Sequence, residues 1–164
     1  MARTTGDAEA ERSRRRVTAN IRESLRELGI QLSLLNHQVS AHVELRDVDL
    51  YCLDLVNRHG PLSPSALARR AGLHPATMTG ILDRLERGGW AVRQRDPDNP
   101  DRRAVAVSPI RDRVPELFKL YSGMSALLDE ICDDYGDAEL EVLADFLGRT
   151  TAAGQEATDR LARG

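Results

Sequence analysis

The stretch Ser63-Pro64-Ser65-Ala66-Leu67-Ala68-Arg69-Arg70-Ala71-Gly72-Leu73-His74-Pro75-Ala76-Thr77-Met78-Thr79-Gly80-Ile81-Leu82-Asp83-Arg84-Leu85, continued by Glu86-Arg87-Gly88-Gly89, spells two short helices about a tight turn. Ser63 supplies an N-cap, and Pro64 fills the first helical position, where a missing N–H costs little. Leu67 and Ala68 face inward until Ala71-Gly72 closes the first helix. His74-Pro75 opens the second with the same proline device; Met78, Ile81, Leu82 and Leu85 recur at helical spacing until Gly88-Gly89 stops it. This inward set leaves His74, Ala76, Thr77, Thr79, Gly80, Asp83, Arg84 and Arg87 on the outer face. Two helices about a glycine turn, the second with a small, hydroxyl-bearing outer face, are the plan of a helix-turn-helix.

Downstream the period changes. Trp90 to Arg95 and Ala104 to Ser108 alternate apolar and polar residues, and the turn formers Asp96-Pro97-Asp98-Asn99-Pro100-Asp101 lie between them. This pattern predicts a β-hairpin wing with a long tip. Upstream, Val48, Cys52, Leu55 and Val56 predict a helix that ends at His59-Gly60-Pro61. Earlier still, Ile21, Leu25, Leu28, Leu32, Leu35 and Val39 are spaced 4, 3, 4, 3 and 4, a narrow seam suited to packing along other helices. After the wing, one helix is expected through Leu117, Leu120, Met124 and Ile131, with Pro115 in its first turn. Another runs from Leu140 to Leu161, with Gly136 and Glu139 forming a weakened capping box before it. The fold class is therefore mainly α with a small hairpin: a winged helix-turn-helix flanked by N- and C-terminal dimerisation helices. The expected divisions are a flexible polar tail over 1–16, an N-terminal dimerisation helix over 17–46, the winged domain over 47–110 and C-terminal dimerisation helices over 111–164.

Composition narrows the class. The 164 residues are 41% hydrophobic and 30% charged, enough for one packed domain with helical arms. The opening residues scatter their charges and contain no apolar core, and no later apolar run approaches about 18 residues, so a cytoplasmic protein is expected. Net charge is −3, yet residues 111–164 carry 6 basic and 12 acidic groups while 47–110 carry 9 and 8. The acidity belongs to the last third, so the middle remains free to gather positive charge on one face.

On the second helix of the pair, small residues at the N-terminal end let the backbone enter a major groove, and Arg84 reaches phosphate or guanine. Ser63 and Ser65, at the start of the preceding helix, suit phosphate contacts. At the wing, Arg102 and Arg103 stand side by side with Arg93 and Arg95 on the outgoing strand, and an arginine there can enter a minor groove. Asp101 is placed to orient one guanidinium and leave the other for DNA.

Leu67 to Leu73, Ala76-Thr77-Met78-Thr79, Leu82-Asp83-Arg84-Leu85-Glu86-Arg87-Gly88-Gly89-Trp90 and Asp101-Arg102-Arg103 together resemble the winged helix-turn-helix of the MarR (multiple antibiotic resistance regulator) family. The likeness is close over residues 47–110; the flanking helices agree in number and order. It implies a triangular homodimer whose terminal helices interlock and whose two winged domains read a pseudo-palindromic operator in double-stranded DNA. It also implies repression of neighbouring genes and, in many members, release by a small phenolic or other aromatic effector or by oxidation. By position, His74, Pro75, Ala76, Thr77, Thr79 and Arg84 correspond to major-groove or backbone residues, and Arg102 or Arg103 to the wing residue. The chain departs from the family pattern in carrying His74 where serine is usual, and in the longer tip at Asn99-Pro100.

Other chemistry finds little support in the sequence. His37 and His42 lie on different sides of a helix and no HxxxH or CxxC occurs, so no metal site or cofactor is expected. Cys52 falls on an apolar stripe and Cys132 beside a run of carboxylates; both read as structural. No phosphate-binding glycine loop or nucleophile elbow is present, so no enzyme is expected. An effector pocket is expected to draw on Asn36, His37, Tyr51 and Tyr121. The rival reading is a winged-helix module that holds another protein without reading DNA, which the acidic last third favours.

Overall fold

A computed structural model describes residues 5–95 and 104–163. The helices are α1 (Thr5–His42), α2 (Asp47–His59), α3 (Pro64–Ala71), α4 (Pro75–Arg87), α5 (Val114–Cys132) and α6 (Asp137–Arg163). Strands β1 (Ala91–Arg95) and β2 (Val105–Pro109) pair antiparallel, and a 3₁₀ turn, Arg111–Arg113, precedes α5. The order helix, helix, short helix, helix, hairpin, helix, helix is the one the periodicities predict. Among the described residues no helix is long and apolar enough to cross a membrane.

The chain divides into two compact units, residues 1–50 and 51–164. In the first, α1 has 38 residues and so runs about 57 Å. It takes in residues 5–16, expected as a polar tail, because Ala, Glu and Arg are good helix formers and Arg15 pairs with Glu11 one turn back at 2.5 Å. The helix closes on Glu44, which has φ of 57°, with the Leu45 N–H donating to Ser40 O at 2.8 Å and the Glu44 N–H to Ala41 O at 3.3 Å. That is a Schellman closure with glutamate where glycine is usual, at a cost of roughly 1 kcal/mol. The corner is pinned by side chains: the Asp47 carboxylate takes the ring of His37 at 3.0 Å and the hydroxyl of buried Ser40. The Ser40 hydrogen bond, then that from His37, holds the Asp47 carboxyl below the usual aspartate range.

In the second unit the core gathers Cys52, Leu53 and Val56 of α2, Leu67 and Ala68 of α3, and Met78, Ile81, Leu82 and Leu85 of α4. Trp90, Ala91, Ala106, Val107 and Leu117 complete it. The hairpin pairs Ala91 with Pro109 through Arg95 with Val105. Leu62 adds a single bridge to Val107, with hydrogen bonds of 3.1 and 2.8 Å, so the loop before α3 is stitched to the sheet. Gly136 donates its N–H to Glu139 at 3.0 Å, the capping contact expected before α6.

Candidate nucleic-acid interface

Each end of the helix pair is built by a local device. The Ser63 hydroxyl accepts from the Ala66 N–H at 3.2 Å, and Ser65 lies 3.2 Å from Ser63, oxygen to oxygen. Gly72, with φ of 66°, ends α3 in the left-handed region, and the Leu73 N–H returns to Ala68 O at 2.9 Å. His74 then caps α4: ring Nδ1 accepts from the Ala76 N–H at 3.2 Å. A histidine therefore does the work expected of the family's serine, with Nε2 directed away from the cap.

Burial separates the two sides of α4. Met78, Ile81, Leu82 and Leu85 are buried, whereas His74, Pro75, Ala76, Thr77 and Thr79 are exposed and Gly80 and Arg84 half-buried. The Thr79 hydroxyl donates to Pro75 O at 3.2 Å, so its methyl group and lone pairs are what it offers outward. A methyl at Gly80 would meet only Arg84 Nη1 at 3.6 Å, ordinary contact, so the chain itself does not require glycine here. Ser63 and Ser65 are exposed at the start of α3, as are Arg69 and Arg70 at its end, two cations that the sequence argument passed over. Asp101, Arg102 and Arg103 lie outside the described residues.

Arg93 has a different place from the one its position beside the wing suggested. Its Nε donates to Glu86 Oε2 at 2.8 Å, its Nη2 to Glu86 and, at 2.5 Å, to Asp83, and its backbone N–H to Glu86 Oε1 at 2.8 Å. The guanidinium joins β1 to the outer edge of α4, and its hydrogen bond holds the Glu86 carboxyl below the usual range. Asp83 and Glu86 are one turn apart and Arg93 takes the same sheet face as buried Ala91, a phase that was present in the sequence.

On the opposite sheet face, a cleft of about 790 Å³ is lined by Asn57, Val92, Gln94 and Phe118, with the Asp54–Arg58 pair at 2.7 Å along its wall. Asn57 Oδ1 is buried there without a hydrogen-bond partner among the described residues. None of the four residues expected at a pocket lines it. Asn36 and His37 are exposed on α1, with His37 held by Asp47; Tyr51 is exposed on α2. Tyr121 is half-buried on α5, and burial first, then Asp54, pushes its hydroxyl pKa up against Arg58. Cys52 is buried, as its stripe predicted, and among the described residues no cluster of three or more His, Cys, Asp or Glu could hold a metal.

The MarR family model matches residues 46–105. The HTH-type transcriptional regulator YcgE of Bacillus subtilis is 30% identical over 152 residues, 88% of this chain and 97% of the relative. The HTH-type transcriptional repressor YetL of the same organism is 29% identical over 53% of this chain and 51% of its own length. A MarR family protein from Bacillus stearothermophilus has the same fold, with a TM-score of 0.66 at 18% identity over 86% of this chain and 97% of that one. These relatives are regulators of transcription rather than enzymes. With a capped helix pair, an outward polar face on α4 and a likeness to YcgE along nearly its whole length, the chain belongs to the MarR family of DNA-binding transcriptional regulators.

Proposed function

We propose that this regulator is a repressor that binds an inverted-repeat operator as a homodimer and leaves it when a small effector binds. The observation that carries the DNA reading is the division of α4: four apolar residues hold it to the core while His74, Ala76, Thr77 and Thr79 stand exposed. A helix bound so firmly on one side presents the other without rearrangement, which is what base readout in a major groove requires. Ser63, Ser65, Pro75, Gly80 and Arg84 take backbone or groove roles, and Asp101, Arg102 and Arg103 serve the minor groove. The homodimer is supported by the apolar residues left open on α5 and α6, among them Phe118, Leu127, Ile131, Val142 and Leu147. Repression is supported by the name of YetL, and a DNA-binding role supports a cytoplasmic location.

The effector role is supported by the cleft at Asn57. Its buried acceptor beside Val92 and Phe118 suits an aromatic body bearing an O–H or N–H donor, a phenol for instance. Fluorescence anisotropy of the labelled intergenic DNA upstream of its own gene, against a scrambled duplex at two salt concentrations, tests the core of this reading. Tight, strongly salt-dependent binding to the first alone is expected. Equal weak binding to both sinks autoregulation, and phenols that leave the bound anisotropy unchanged sink the effector.

A further inference from the structure

Arg113 ends the 3₁₀ turn before α5, and its guanidinium is attached three times. Nη1 donates to the carbonyl of Gly88, the residue that ends α4, at 2.9 Å. Its central carbon lies 3.7 Å from the centroid of the Trp90 ring. Nε and Nη2 donate to the two oxygens of Glu116, in the first turn of α5, at 2.9 and 3.2 Å.

The parts around it are fixed. Trp90 is 3% exposed; its N–H donates to Leu85 O at 2.9 Å and its carbonyl accepts from the Ile110 N–H at 3.0 Å. A side chain at Gly88 would push against the indole, since a Cβ there would lie 2.8 Å from Trp90 Cδ1. A cation on the last carbonyls of α4 is favoured by the helix dipole, and a desolvated indole face strengthens its attraction for the guanidinium. On the other side the hold is narrow, for Leu117 is the one buried residue of α5. A displacement of α5 therefore reaches α4 through a short chain of charged and stacked groups, Glu116 to Arg113 to Gly88 and Trp90.

We propose that Arg113 is a positioning residue for DNA binding: it fastens the first turn of α5 to the end of the recognition helix, so that the two shift together. The role rests on α4 being the DNA-reading helix, and it needs no contact between Arg113 and nucleic acid. It gives a face that reads bases and a helix with an unburied apolar side a common mechanical joint.

The chain has one tryptophan, so Trp90 emission reports the joint directly. The full chain is compared with Arg113→Met, Arg113→Lys and Glu116→Gln, without DNA and with a duplex selected in vitro by the wild type. Glu116→Gln, which alters only the α5 side, is expected to shift Trp90 emission and to speed amide exchange at residues 85–88. Arg113→Met is expected to weaken binding to the selected duplex about 2- to 30-fold at a temperature where it is fully folded, and Arg113→Lys to recover part of that loss. Unchanged emission and exchange in Glu116→Gln, or wild-type affinity in folded Arg113→Met, overturns the proposal. A wild type that selects no duplex overturns the DNA reading itself, and this role with it, whatever the variants do.

Discussion

The helix pair with its hairpin and the long helices α5 and α6 belong to the same compact unit but stand in opposite condition. Every inward apolar residue of α4 is at most 1% exposed, while on α5 Leu127 and Ile131 are 57% and 55% exposed, and on α6 Val142 is 68% exposed. The first region closes with its own chain: caps at Ser63 and His74, a left-handed glycine at 72, and a core within reach. The second has the residues of a core, yet among the described residues many of them stand exposed. A short segment can be stable where its side chains meet within one chain, and a long apolar helix marks where the chain expects another surface.

Five changes break or sharpen that contrast, taken from the largest expected effect downward. Leu85→Ala removes a fully buried side chain and should lower the unfolding free energy by about 2–5 kcal/mol in urea titrations, independently of protein concentration. Its counterpart Leu127→Asp should act on assembly instead, turning a sedimenting dimer into a monomer; an unchanged sedimentation coefficient would remove the open face from the dimer interface. Gly88→Ala forces a Cβ to within 2.8 Å of Trp90 and should cost about 1–3 kcal/mol, with a change in near-ultraviolet circular dichroism from the displaced indole.

Glu86→Gln takes the charge from the carboxylate that holds Arg93 and should cost about 1.5 kcal/mol at neutral pH, allowing for partial exposure of both groups. The sign follows from the depressed Glu86 pKa: its contribution is complete above the ordinary glutamate range and fades as pH falls through the lower folded value. As pH falls below the ordinary glutamate range the variant should therefore lose less stability than the wild type, and parallel pH curves would show that the pair contributes nothing. The smallest effect is expected at Gly80→Ala, where a methyl meets only Arg84. Free protein should gain up to about 1 kcal/mol from better helix propensity, while operator affinity falls because the methyl intrudes on the groove-facing side. Affinity that rises with stability would move the DNA contact away from Gly80.

Much of the helix pair was legible in the residue order because each device acts over four residues or fewer. Ser63 reaches Ala66, His74 reaches Ala76, and the 3.6 period separates Met78, Ile81, Leu82 and Leu85 from the outer face. Helicity of residues 5–16 was missed because the stretch carries no apolar stripe, and propensity with one ion pair continues a helix already nucleated. The sequence by itself determined the order of the elements, the faces of α4 and the family likeness, since short-range hydrogen bonds and periodicity are written in neighbouring residues. Only the tertiary structure decided that Arg93 is spent on Glu86 and Asp83, and that Arg113 reaches Gly88 across 25 residues. It also opened the cleft at Asn57, whose lining comes from α2, the hairpin and the start of α5. Such contacts depend on how a turn and a hairpin bring distant segments together, and no local pattern of side chains encodes that distance.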